Sequence, residues 1–215
     1  MKKCILFTDI KGSSNLWKKH PKKMLKALRT HNSQIRAVCR KYNGFIIKTI
    51  GDAYMIAFPD IYNGIDFAIQ MSYLQVERPI IVGNSDKLEI RIGMCYGKVN
   101  QRRMIIQNKS LIDYFGTSVN VASRMESKVS QVGGFALCLE GKKKDDSKIV
   151  RYLNSKNIRI DIGYYMDDLN KCNDILIRSE RLLNTNQINE QKCKDPRELK
   201  GVGGDIVTYD CVLNI

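Results

Sequence analysis

Two short apolar runs, each closing on a carboxylate, constrain this chain more than any other feature. "CILFTDI" (4–10) has the length of a buried strand, puts Asp9 at its end, and runs into the small-residue turn Gly12-Ser13-Ser14. "FIIKTIGDAYMIAF" (45–58) reads as two strands around Gly51-Asp52, a hairpin signal, and Pro59 stops it. Between them Met24/Leu25, Leu28, Ile35, Val38 and Tyr42 recur at three- and four-residue spacing. Lys22, Lys23, Lys26, Arg29, Arg36 and Arg40 fill the gaps, so this is an amphipathic helix with a basic outer face. Pro21 suits its first turn, which makes Asn15–His20 a separate turn, and Asn43-Gly44 ends it.

The remaining elements follow the same reading. Residues 61–74 form a second helix, 76–87 a loop, and "LEIRIGMCYGKV" (88–99) a strand. A polar loop leads to "DYFGTSVNVASRMESKV", helical from about Val119, and "GGFALCLE" is a further strand. Residues 141–198 break the rhythm. Helix is expected over 146–156 and 171–183, and strand over 157–165, before "LKGVGGDIVTYDCVL" closes the chain as a turn and a last strand. The order β-α-β-β-α-β predicts an α+β fold on the ferredoxin-like plan, an antiparallel-dominated sheet with helices on one face. In that plan the first strand and the hairpin are neighbours, so Asp9 and Asp52 meet at one end of the sheet.

Composition narrows the class. The 215 residues suffice for one domain, and 43% hydrophobic with 27% charged residues exclude wholesale disorder. The net charge of +14 is concentrated early: residues 1–60 hold 13 Lys/Arg against 3 Asp/Glu. That field attracts polyanions, although a solvated basic face is the plainer role for residues 22–42. Seven cysteines without a CxxC spacing point to a reducing compartment, with no disulfide framework and no zinc site. "MKKCILF" opens like a signal peptide, but Asp9 cuts the apolar run short, and no stretch approaches the roughly 20 residues of a membrane span. The expectation is a cytoplasmic protein.

Two carboxylates at adjacent strand ends can hold two hard cations through oxygen. Such a pair can activate an attacking oxygen and stabilise a leaving one at phosphorus. The turn after Asp9 offers close backbone N–H groups for phosphate oxygens. Taken alone, the same residues also read as a helix cap and a hairpin-turn acid.

"FTDIKGSSNLW", "IIKTIGDAYMIAF", "LEIRIGMCYGKV" and "DYFGTSVNVASRMES" resemble, in order and spacing, the class III nucleotide cyclase catalytic domain. The resemblance covers 4–139 and resumes at 199–211, leaving 141–198 as an insertion in a single domain spanning 1–215. It implies attack of a ribose 3′-hydroxyl on the α-phosphorus of a nucleoside triphosphate, with two Mg²⁺ or Mn²⁺ ions per site. By resemblance Asp9, Asp52 and the backbone carbonyl of Ile10 are the metal ligands. Asn120 orients the ribose, and Arg124, one helical turn on, stabilises charge on the α-phosphate. Gly12, Ser13, Ser14 and Lys200 hold phosphates, although the glycine spacing near Lys200 allows more than one register. Lys48 and Asp113 match the base-reading positions. Asp113 accepts and Lys48 donates, which suits the N6 donor and N1 acceptor of adenine and opposes guanine. Cytosine repeats adenine's pattern, so the family pairing is what favours ATP. Metal carboxylates and the Asn/Arg pair occur together, which implies a homodimer with sites at the interface.

Other classes fit less well. A catalytically inactive nucleotide-binding homologue would have lost a metal or arginine position, and none is lost. A nucleic-acid module on the same plan needs aromatics on its central strands, where "KTIGDAYMIAF" has an acid and small residues. A polymerase palm shares the two-acid logic without the Asn120/Arg124 helix. No sensor, receiver or membrane segment is expected ahead of the core.

Overall fold

The structure is a computed structural model that describes residues 1–106, 109–140, 146–165, 188–194, 199 and 206–213. Strand β1 (Lys2–Ile10) is followed by a short helix α1 (Ser13–Lys19), then α2 (Pro21–Lys41), β2 (Phe45–Ile50), β3 (Ala53–Phe58) and α3 (Ile61–Glu77). A two-stranded ribbon, β4 (Ile81–Val82) and β5 (Asp86–Lys87), leads to β6 (Ile90–Lys98). A hairpin of β7 (Asn100–Ile106) and β8 (Lys109–Phe115) precedes α4 (Thr117–Arg124), which continues into a π-helical turn over Met125–Val129. Then come β9 (Gly134–Leu139), α5 (Asp146–Ser155), β10 (Ile158–Tyr165), β11 (Ile188–Lys194) and β12 (Ile206–Leu213).

The main sheet runs β11-β10-β12-β9-β6-β1-β3-β2. Its last four strands are the ferredoxin-like core, with β1 antiparallel to both β3 and β6. β1 is central, and its apolar run feeds both faces because side chains alternate along a strand. Cys4, Leu6 and Ile10 enter one core with Met24, Ile35, Ile65, Phe67 and Leu153 from α2, α3 and α5. Ile5 and Phe7 enter a second core with Val121, Ala122, Met125 and Val129 from α4 and its π turn. Helices therefore cover both faces, which corrects the one-face expectation. Gly93 gives the reason: a Cβ there would fall 1.8 Å from the backbone N of Glu126. The π turn thus rests directly on the β6 backbone, an approach only glycine permits.

Along α2 the buried stripe is Met24, Ala27, His31, Ile35, Val38 and Cys39. Leu25 lies outside it and is exposed, while His31 is inside. Asp60 caps α3 by accepting from the Asn63 N–H at 2.9 Å. The segments read as loops at 76–87 and 100–112 instead carry the β4–β5 ribbon and the β7–β8 hairpin. The helix expected over 171–183 lies outside the described residues. Cys4, Cys39, Cys95, Cys138 and Cys211 are buried free thiols. Among the described residues no helix is long and apolar enough to cross a membrane.

Candidate active site

Asp9 and Asp52 do come to the same end of the sheet. The β1–β3 register runs to Thr8 opposite Tyr54, so its continuation sets Asp52 level with Ile10, the residue after Asp9. β2 and β3 join through Gly51 and Asp52 between the paired Ile50 and Ala53. Gly51 has φ 63°, the left-handed region that a tight hairpin needs at its first turn position. Asp52 is half-buried, and its Oδ2 is buried with no hydrogen-bond partner. Asp9 pairs with Arg91, which stands opposite it on β6 and donates from Nη2 to Oδ2 at 3.1 Å. Neither acid serves as a helix cap: α1 is capped by Gly12 with no side-chain hydrogen bond.

Arg91 shares the α4 face with Asp9 and Gly93, and there it also meets Glu126. Its Nε lies 3.0 Å from Glu126 Oε1 as an ion pair, off the axis of a good hydrogen bond. Burial pushes the Glu126 carboxyl up to about 7; the Arg91 guanidinium opposes the rise and the charge of Asp9 adds to it. Arg91 and Glu126 were not among the residues that sequence reasoning singled out. The available signal was a lone arginine inside an apolar strand that must pair with the strand carrying Asp9.

Lys48 and Asp113, the pair expected to read the base, come together from distant segments. Lys48 Nζ lies 2.6 Å from Asp113 Oδ2, and Asp113 is only 8% exposed. Lys48 owes its direction to a bulge. Ile46 pairs with Ile56 and Lys48 with Met55, so Ile47 is the extra residue that turns Lys48 to the face its neighbour would have taken. Asp113 comes from β8, and its Oδ1 accepts from the backbone N–H of Tyr114 at 2.8 Å. The Phe115 ring lies 5.8 Å from Lys48 Nζ, within cation–π range.

Asn120 and Arg124 are one turn apart on α4 and project from the same side. Asn120 is exposed and Arg124 half-buried. The N-cap of α4 is Gly116, so Asn120 is not a cap. α4 is anchored at its start by Ser118, whose Oγ donates to the Lys98 carbonyl at 2.9 Å and contacts Glu140 Oε2 at 2.6 Å. Glu140 in turn accepts from the Lys98 N–H at 2.7 Å. Gly12, Ser13 and Ser14 open α1, where first-turn N–H groups have no intrahelical acceptor. Lys200 lies outside the described residues.

This sheet order, with α4 laid on its bare face and two acids at the end of a β1–β3 pair, is the architecture of a nucleotide cyclase catalytic domain. The adenylate and guanylate cyclase catalytic domain family matches over residues 2–134, and the chain belongs to that family. The chain is 35% identical over 161 residues to an adenylate cyclase of Lachancea kluyveri, covering 65% of this chain and 8% of that protein. It is 34% identical over 140 residues to an adenylate cyclase of Neurospora crassa, covering 57% and 6%. The match thus spans less than a tenth of those relatives' length. Among solved structures, the guanylate cyclase domain of a protein from Catenaria anguillulae, in complex with GTP, superposes with a TM-score of 0.64 at 18% identity, covering 99% of this chain and 96% of that one. That likeness bears on the fold.

Proposed function

We propose that the chain is an adenylate cyclase catalytic domain that converts ATP to 3′,5′-cyclic AMP and pyrophosphate. The observation that carries the base assignment is the 2.6 Å contact of Lys48 with Asp113, two residues from separate segments presented as one donor and one acceptor. Adenine matches both, with N6 donating to Asp113 and N1 accepting from Lys48. Guanine would set acceptor against acceptor and donor against donor, at a cost of several kcal/mol, about 2 per buried mismatch.

Asp9, Asp52 and the Ile10 carbonyl suit a pair of hard divalent cations. All three donors are oxygens, and the buried, unpartnered Oδ2 of Asp52 is an anionic oxygen in want of a positive neighbour. Mg²⁺ or Mn²⁺ bound there would polarise the α-phosphate and acidify the 3′-hydroxyl. The rest falls to the chain. Arg91 fixes Asp9 at the strand end. Asn120 hydrogen-bonds and orients the ribose, so that the 3′-oxygen lies in line with the bond to be broken. The 3′-oxygen bonds to the α-phosphorus and releases its proton to water, the bond to the bridging oxygen breaks, and pyrophosphate carries away that electron pair. Arg124 donates to the non-bridging oxygens as charge gathers on them; its planar guanidinium matches that spread charge better than an ammonium would. Gly12, Ser13 and Ser14 hold the departing phosphates through backbone N–H groups, with Lys200 assigned to the same task.

The working form is a two-fold homodimer in which Asp9 and Asp52 of one protomer face Asn120 and Arg124 of its partner. Phe45 and Ile50 on the edge strand β2, with Ile105, Leu111 and Phe115 on the β7–β8 hairpin, are exposed apolar side chains. Such a patch beside a reactive site is the mark of an interface.

Product analysis tests the reading. The purified chain would be incubated with ATP, GTP, CTP or UTP and Mg²⁺ or Mn²⁺, beside an Asp52→Ala variant. Cyclic AMP from ATP alone, lost in the variant, is the expected result. Cyclic CMP, UMP or GMP would overturn the base assignment and keep the chemistry. No product from a folded dimer would make the chain a regulatory homologue.

A further inference from the structure

On the sheet face away from α4, a cavity of about 530 Å³ opens between α2, the end of α3 and strand β4. That is the size of a small-molecule site. Lys23, Lys26 and Arg78 line its mouth, and Ala27, Ile80 and Ile81 give it apolar walls. Adjoining it, and sharing Gln34, Arg78 and Ile80, is a space of about 10 Å³, room for one polar group, lined by His31 and Gln75. His31 is 1% exposed, and its Nε2 has no hydrogen-bond partner. Gln75 Nε2 is likewise buried and unpartnered. Two buried polar atoms left without partners at one spot cost about 1–3 kcal/mol each, which a ligand reaching them would recover. Burial holds His31 neutral by lowering its pKa to about 4, so its ring brings no charge to this space.

We propose that this cavity is an effector site for a small organic anion, a single carboxylate or phosphate group on an apolar body that ends in a hydroxyl. The anionic group sits among Lys23, Lys26 and Arg78, the body lies on Ile80 and Ile81, and the hydroxyl at the inner end accepts from the Gln75 amide and donates to His31 Nε2. The site also has a route to the active end of the sheet. Gln75 Oε1 accepts from the Ile90 N–H at 2.7 Å, and Ile90 is the register partner of Ile10, next to Asp9. A ligand that reorients the Gln75 amide therefore acts on the strand pair that carries Asp9. The binding does not depend on the cyclase reading, because the cavity and the proposed metal end share no residue.

The test is a titration of the nucleotide-free, ¹⁵N-labelled full chain with 4-hydroxyphenyl phosphate and with 4-hydroxybenzoate, followed by NMR, against inorganic phosphate as reference. Saturable shifts of the Gln75 side-chain amide, the His31 ring and the Ile90 backbone amide are expected. At least one organic anion should bind about ten-fold tighter than inorganic phosphate, the apolar body adding to the charge pairing. Arg78→Ala should weaken it about ten-fold, and Ile81→Glu, which places a like charge at the mouth, should do the same. Thermal midpoints check that both variants remain folded. Equal binding of inorganic phosphate, shifts that miss Gln75 and His31, or indifference to both substitutions would mean an adventitious ion only, and would overturn the proposal.

Discussion

Arg91 ties together two acids on the α4 face of the sheet, Asp9 from β1 and Glu126 from the π turn, and its sequence context hides this. It is the one charged residue in the run Ile90–Gly97, and its worth appears only when the register sets it opposite Asp9 and the π turn brings Glu126 over it. Glu126 gives a signed prediction. Its folded pKa of about 7 lies above the ordinary value of 4.5, so between those two pH values the folded chain holds a proton that the unfolded chain has released. Its contribution to stability is full below pH 4.5 and is lost as pH rises to about 7. Denaturant unfolding should therefore show the wild type losing stability relative to Glu126→Gln across that window, by about 1–3 kcal/mol. Parallel curves for the two proteins would remove Glu126 as the source. For the proposed chemistry, Asp52→Asn and Arg124→Lys should each lower turnover of ATP about 100-fold or more with little change in melting temperature. The asparagine halves the anionic donor set, and the lysine lacks the planar fork. A variant that keeps near-normal turnover would take its residue out of the reaction.

At the level of elements, β6 with its seated helix decides whether the site exists. Gly93 lets the backbone of the π turn touch the strand, and Ser118 ties the start of α4 to Lys98 and Glu140. Gly93→Ala should cost about 3 kcal/mol or more, since the added methyl meets backbone rather than a side chain that can move. Urea unfolding measures this, and a loss under 1 kcal/mol would mean that the helix is not in contact at Gly93. The central strands were legible from composition because each is buried on both sides and so carries an unbroken apolar run. The placement of Asp9 and Asp52 at one end of the sheet was legible because they end such runs. The β7–β8 hairpin was not, because "NQRRMII" and "KSLIDYF" stand apart from the main sheet and carry polar residues where a buried strand carries apolar ones. The packing of α4 on the second face was equally hidden, since periodicity tells which stripe of a helix is buried and not which layer buries it. Asp113 could be assigned only by resemblance. Its 2.6 Å partner Lys48 lies far off in the sequence, and the bulge at Ile47 that aims it leaves no local mark.

For the molecule as a whole, the two halves of the proposed site lie in different layers of the same chain. Asp9 and Asp52 close the β1–β3 end of the sheet, whereas Asn120 and Arg124 ride on α4, in the helical layer packed on that sheet. Exposed apolar side chains on β2 and the hairpin supply the surface on which two copies would join. The central claim is that each reaction needs acids from one protomer and the Asn/Arg pair from the other. The direct measurement is complementation: Asp52→Ala and Arg124→Ala are purified separately, mixed in equal amounts, allowed to exchange subunits, and assayed for cyclic AMP from ATP. Each variant alone should be inactive. Random exchange makes half the dimers mixed, each with one intact site of two, so the mixture should recover about a quarter of wild-type activity. A mixture as inactive as its parts, with subunit exchange demonstrated and the wild type active, would contradict the account.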